Sequence, residues 1–133
     1  MTHARMVKEI VLKVVNEIGV LNQISKLIAE KGVNIIAVQG TVQDGSAVLH
    51  LITSDNLRVG DALRARNFAP HEMDCVLVEV PNKPGVLRNI TEKLLPEGID
   101  IHHIYATAGE ASDTSLVALA CSRNDHAIVV LNK

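Results

Sequence analysis

Aromatic side chains are nearly missing from this chain. Of its 133 residues only Phe68 and Tyr105 carry a benzene ring, and tryptophan is absent. Proteins that hold single-stranded nucleic acid by stacking bases on rings need more than this. A basic excess is missing too: the formal charge is −2, with 13 Lys and Arg against 15 Asp and Glu. That removes the electrostatic footprint of a duplex binder, so nucleic acid is not an expected partner. No apolar stretch approaches the ~20 residues of a membrane span, so no membrane partner is expected either. Behind Arg5, the charges of Lys8, Glu9 and Lys13 interrupt any apolar run. This argues against a secretory signal and for a cytoplasmic protein. Cysteine is scarce as well: Cys75 and Cys121 lack metal-ligand spacing and read as reduced, buried small hydrophobes. They fall on strands expected to be neighbours, so a redox pair is the competing reading.

What is present is aliphatic and repeated. Apolar residues make up 47% of the chain, so the core is built from Val, Ile, Leu and Ala. Asn16-Glu17-Ile18-Gly19-Val20-Leu21 returns as Asn82-Lys83-Pro84-Gly85-Val86-Leu87, 66 residues on. The match runs on without a gap, setting Ile24, Gly32, Val33 and Ile35 against Ile90, Gly98, Ile99 and Ile101. A gapless match over a strand end, a turn, a helix and the next strand marks a duplicated folding unit. Each copy is near the lower size limit for a core of its own.

The pattern of each copy is β-α-β-β-α. In the first, Val7 to Val15 alternates as a strand, with Ile10, Leu12 and Val14 on one face. Asn16 to Gly19 turns. Leu21, Ile24, Leu27 and Ile28 then recur at helical spacing from about Val20 to Lys31, with Gly32 at the C-cap. Val33 to Val42 and Ala47 to Thr53 are strands around an Asp44-Gly45 hairpin turn. Ser54 or Asp55 caps a second helix reaching about Arg66. In the second copy the strands are Met73 to Val80, Ile99 to Thr107 and Leu116 to Cys121. The helices run from Gly85 to about Leu95, stopped near Pro96, and from Asn124 onward. Gly109-Glu110-Ala111-Ser112-Asp113 is a polar hairpin tip.

This order predicts an α+β protein. It consists of two ferredoxin-like (βαββαβ) units in tandem, with antiparallel sheets and helices on one face. The expected division is an N-terminal tail over 1–5, a first unit over 6–72 and a second over 73–133. A single long strand from His71 to Val80 can close the first copy and open the second. The final strand of the second unit is missing, which leaves an expected uncovered sheet edge that recruits another chain. Val11, Val15, Cys75 and Leu77 point away from the helices. A side there that is mixed to apolar implies that this face or an adjoining edge is buried, between copies or against a second chain.

The recurrent turn, Asn-x-x-Gly-Val-Leu, with Gly32-Val33-Asn34-Ile35 or Gly98-Ile99-Asp100-Ile101 after the helix, resembles the ACT domain. That family is the small ligand-binding regulatory module of amino-acid metabolism. The resemblance covers nearly the whole chain as two copies, and Ile18 departs from the usual proline. Physical chemistry points the same way. A glycine lets the backbone pass close to a ligand, and a helix N-terminus offers unpaired N–H groups to a carboxylate. Asn16 and Asn82 add an amide, although Asn before a helix also serves simply as an N-cap.

The resemblance implies that an amino-acid-like ligand lies between two units, the turn of one facing the start of the second strand of the other. It carries over to Asn16, Ile18, Gly19, Val20 and Leu21 with Asn34. In the second copy it carries to Asn82, Pro84, Gly85, Val86 and Leu87 with Asp100. Asp100 repels a carboxylate where Asn34 does not, so the two sites are expected to be inequivalent. His50, His102 and His103 show no ligand spacing, so no metal is expected. Arg58, Arg64 and Arg66 read as a solvated face. There is no nucleophile with a base and no phosphate-binding glycine loop. The expectation is therefore a non-catalytic regulatory protein with no cofactor, acting as a homodimer. The alternative is a regulatory subunit that docks an enzyme of amino-acid metabolism without a ligand of its own.

Overall fold

The structure, a computed structural model, describes residues 2–107 and 110–133. The first residue of the expected tail and Gly109 of the expected hairpin tip lie outside those residues. The chain divides into two compact units. One is Lys8–Met73, and the other joins the segment up to Val7 to Asp74–Lys133.

The first unit is built from β1 (His3–Val15, from Lys8 on), α1 (Val20–Glu30), β2 (Ile35–Gln43), β3 (Ser46–Thr53) and α2 (Asn56–Arg64). The start of β4 (His71–Pro81) completes it, giving the strand order β2-β3-β1-β4. The second unit takes the rest of β4, then α3 (Val86–Leu94), a 3₁₀ turn over Leu95–Glu97, β5 (Ile101–Thr107), β6 (Thr114–Cys121) and α4 (Asn124–Leu131). Its order is β5-β6-β4-β1. Both are ferredoxin-like: the first and third strands lie side by side in the middle, flanked by the fourth and the second.

Local chemistry sets the corners. Asp44 and Gly45 have φ of 50° and 78°, so two residues in the left-handed region join β2 to β3 as the twist of a hairpin requires. Asp55 caps α2 by accepting from the Arg58 N–H at 3.1 Å. In the first unit Leu12 stands opposite Leu49 and Ile10 opposite Leu51, on the face that meets Ile24, Ile28, Val59 and Leu63. In the second, Val78 stands opposite Val117 and Val76 opposite Leu119, against Ile90, Leu94 and Leu131. Each such fully buried side chain contributes about 1.5–3 kcal/mol by leaving water.

The strand expected to be lacking after α4 does not follow it; its place is filled from the other end of the chain. β1 starts at His3 rather than at Val7, so the stretch read as a tail is strand. Ala4, 2% exposed, sits in the core cluster of Val76, Val78 and Leu131. The Asn132 side chain fastens it: its Oδ1 accepts from the Ala4 N–H at 2.7 Å and its Nδ2 donates to the Ala4 carbonyl at 2.8 Å. The open edge expected for the second copy is thereby covered. Sequence periodicity missed this because His3, Arg5 and Met6 do not alternate as a half-buried strand does.

On the face away from the helices, Val11, Cys75 and Leu77 are buried as expected, while Val15 is exposed. Glu9 is wholly buried there and holds His50 Nδ1 at 2.8 Å. The two thiols do not pair. Val76 stands opposite Leu119, so the register brings Asp74, not Cys75, opposite Cys121. Cys121 packs in the helix-side core while Cys75 lies outside that cluster.

Replacing Asn132 with Ala removes both bonds to Ala4. It is expected to lower stability in urea unfolding by about 1–3 kcal/mol, with faster amide exchange along residues 3–7.

Candidate functional site

The two copies of the turn have the same backbone. Gly19 has φ 90° and ψ −4°, Gly85 has φ 89° and ψ 0°, and each is the N-cap of its helix. The entering strand is pinned alike: the Asn16 N–H donates to the Gly45 carbonyl and the Asn82 N–H to the Asp113 carbonyl, both at 2.9 Å. Neither helix has a side-chain cap. The N-cap role open to Asn16 and Asn82 is therefore not used. The Asn82 amide instead donates to the Ser112 carbonyl at 2.9 Å. The Asn16 amide has no hydrogen-bond partner among the described residues. In α1 the Leu21 and Asn22 N–H groups are likewise without a backbone partner, Gln23 being the first to bond back to Gly19. First-turn N–H groups left this way carry the positive end of the helix dipole.

Asn34 and Asp100 are also equivalent to each other. The Ser54 N–H donates to the Asn34 carbonyl at 2.9 Å and the Asn34 N–H to the Ser54 hydroxyl at 3.0 Å. Asp100 and Ser122 repeat both distances. Each lies beyond the C-terminal end of the helix that its turn begins. In the first unit α1 separates them by 11 residues, roughly 16 Å at ~1.5 Å per residue. Within one unit the turn and its expected polar partner are thus at opposite ends.

What the structure does place beside the first turn is the outer end of the β2–β3 hairpin. A cleft of 440 Å³ lies between them, lined by Asn16, Gly19 and Leu21 on one side and by Gly40, Val42 and Leu49 on the other. Ile18 stands at the tip of the turn, fully exposed. Gly40, Thr41, Val42, Ala47 and Leu49 were not anticipated from the sequence. The signal for one of them was there: a glycine inside a strand marks a close approach or a space kept open. The second turn faces a smaller cleft of 250 Å³, walled by Thr2, Pro81, Lys83 and Pro84 with Gly85 and Val86. Leu87 is exposed beside it.

A depression of 650 Å³ runs along α2 past Asp55, Arg58 and Asp61. Along this helix Arg58 lies 3.9 Å from Asp55 and Arg64 3.6 Å from Asp61, all four side chains exposed. His102 Nε2 lies 3.9 Å from Asp100, both exposed, and His103 stacks on Tyr105. Burial pushes the Cys121 thiol above its usual pKa, and the charge of Asp100 adds to that. No described helix is long and apolar enough to cross a membrane.

No family model matches the chain, and no curated protein matches it in sequence. Solved structures do match. A protein from Bacteroides thetaiotaomicron superposes with TM-score 0.89 at 27% identity, over 97% of this chain and 88% of the other. The regulatory subunit of aspartate kinase from Thermus thermophilus, in ligand-free form, gives 0.67 at 14% identity, over 97% and 94%. A structure of aspartokinase alpha and beta subunits gives 0.67 at 18%, over 98% and 95%. The chain has the fold of two ACT-type units in tandem.

At Gly19 and Gly85 an added Cβ would meet nothing within 4 Å, so a substitution there is opposed by backbone conformation alone. Alanine at either position is expected to cost about 1–2 kcal/mol in urea unfolding, and asparagine, which tolerates positive φ, distinctly less. Both thiols, buried and with Cys121 shifted up, are expected to resist iodoacetamide in the native protein at pH 8. They should react fully once it is unfolded in urea, as mass spectrometry would show.

Proposed function

We propose that this is a non-catalytic regulatory protein that binds a small amino acid or a related metabolite at its recurrent turns. The ligand lies where the turn of one unit meets the start of the second strand of another. Its carboxylate takes the free N–H groups at the head of α1 or α3, beside the Asn16 or Asn82 amide. Asn34 or Asp100 from the facing unit receives the ammonium. One observation carries this reading. Both turn helices begin on a left-handed glycine and go without the side-chain cap that α2 has, so their positive ends are left for something else. The identical backbone of the two turns adds support, because the same left-handed glycine corner kept twice in one chain fits a shared task. The likeness to a regulatory subunit of aspartate kinase fits a regulatory rather than a chemical role.

Because the turn and Asn34 lie at opposite ends of their unit, a site made of both has to be completed by another unit. The reading therefore includes self-association, as a homodimer. Occupancy then acts by linkage: a ligand held between units favours the arrangement that holds it and shifts the balance toward it.

A second reading rests on the sheet edges. β2 and β5 each end the strand order of their unit, and Val38 and Val42 are exposed along β2. An edge of this kind can accept a strand of a partner enzyme of amino-acid metabolism without any ligand.

Calorimetry and thermal shift of the purified protein against the standard amino acids separate the two. At least one amino acid is expected to bind, raise the melting temperature and favour the dimer in light scattering. Asn16→Ala with Asn82→Ala should weaken that binding at least tenfold. If none of the amino acids produces heat or a shift, the ligand reading fails and edge docking stands.

A further inference from the structure

The walls of the first cleft say more about its occupant than the turn does. At its head are the Asn16 amide and the Leu21 and Asn22 N–H groups, which have no partner among the described residues. Its other wall is aliphatic: Val42, Ala47 and Leu49, with Leu21 across from them. Those residues lie on the helix side of the sheet, for Ala47 stands opposite Val14, and Leu49 opposite Leu12. No lysine or arginine lines the cleft, and Glu17 is the one charged side chain that does. A second carboxylate on the ligand would find no cation and would face Glu17. A cationic side chain would set its charge against Val42 and Leu49. Either arrangement sets a charge against an aliphatic wall, where an uncharged side chain gains more by burial.

Gly40 makes the room. It stands opposite Leu49 in the β2–β3 register. A Cβ built on it would come within 3.1 Å of Leu49 Cδ2. Any larger residue would fill the space between edge strand and helix. In the second copy Ala106 occupies that position, opposite Val117, so a methyl group stands where the first copy has none.

We propose that the cleft at the first turn is selective for an α-amino acid with an uncharged aliphatic side chain, and that Gly40 is the residue that determines this. The inference rests on the ligand reading above and adds to it the class of ligand and the copy that takes it. The carboxylate lies at the head of α1, and the side chain runs toward Gly40, between Leu21 and Leu49. At 440 Å³ the space suits a single amino acid of leucine size, within the ~300–1,000 Å³ range of small-molecule pockets.

Calorimetry on the full chain with L-leucine, L-valine, L-aspartate and L-lysine tests this. Leucine or valine is expected to bind at least tenfold more tightly than aspartate or lysine. Gly40→Val should remove most of the aliphatic binding, and Ala106→Gly should leave it unchanged. Gly40→Ala needs only a small movement of the Leu49 side chain and should weaken leucine severalfold with the fold intact by circular dichroism. Val42→Asp, at an exposed position, should reduce leucine affinity and raise that for lysine. Preference for aspartate or lysine in the unaltered protein would overturn the inference, as would leucine affinity indifferent to Gly40→Val. In both cases the broader ligand reading survives. Absence of binding by all standard amino acids defeats that broader reading and this one with it.

Discussion

Everything in this fold hangs on how the fourth strand of each unit is supplied. A ferredoxin-like sheet places that strand beside the first, and in each unit it comes from outside that copy's own β-α-β-β-α run. The first copy takes it from the start of β4, the second from the start of β1. Side-chain amides hold these borrowed pieces. Asn132 clasps the backbone of Ala4 from both sides. Asn56 donates to Glu72 Oε2, on the borrowed start of β4, at 3.2 Å; from the first residue of its helix it also reaches the Lys8 carbonyl at 2.9 Å, as Asn124 reaches the Asp74 carbonyl at 3.2 Å, both on strands of their own units. Buried backbone needs such partners, and a strand without them would leave polar groups unpaired against a core. The helices, the turns and the clefts all lie on sheets completed in this way.

Much of this was readable from the residues. The duplication, the positions of the four helices, the Asp44-Gly45 hairpin and the long strand from His71 all follow from periodicity and turn chemistry. The role of the first residues did not, because pairing across nearly the whole chain leaves no local pattern. One trace existed. Ser54-Asp55-Asn56 and Ser122-Arg123-Asn124 repeat a serine and an asparagine at the same spacing. Those residues are the ones that bind the starts of β2 and β5 and the neighbouring strands. At the turn, the sequence marks Gly19 and Gly85 and their neighbours but not what lies across from them. Gly40 and Val42 sit on an edge strand whose residues are all at least partly exposed, so no burial pattern singles them out.

The two turns share a backbone and differ in their surroundings. Asn82 spends its amide on Ser112, whereas the amide of Asn16 has no partner among the described residues. Lys83 and Pro84 stand where Glu17 and Ile18 do, and Ala106 stands where Gly40 does. Duplication preserved the geometry of the corner and let its chemistry diverge. Fold alone assigns no role. What distinguishes the copies is which donors remain unsatisfied and which walls are apolar.

The clasp between Ala4 and Asn132 spans 128 positions. On the ribosome these residues are made far apart in time. Lys8–Met73 can assemble once His71 to Met73 have emerged, whereas the clasp on Ala4 is absent until Asn132 has been made. The order of synthesis therefore leaves residues 3–7 without that fastening long after the unit beside them can close.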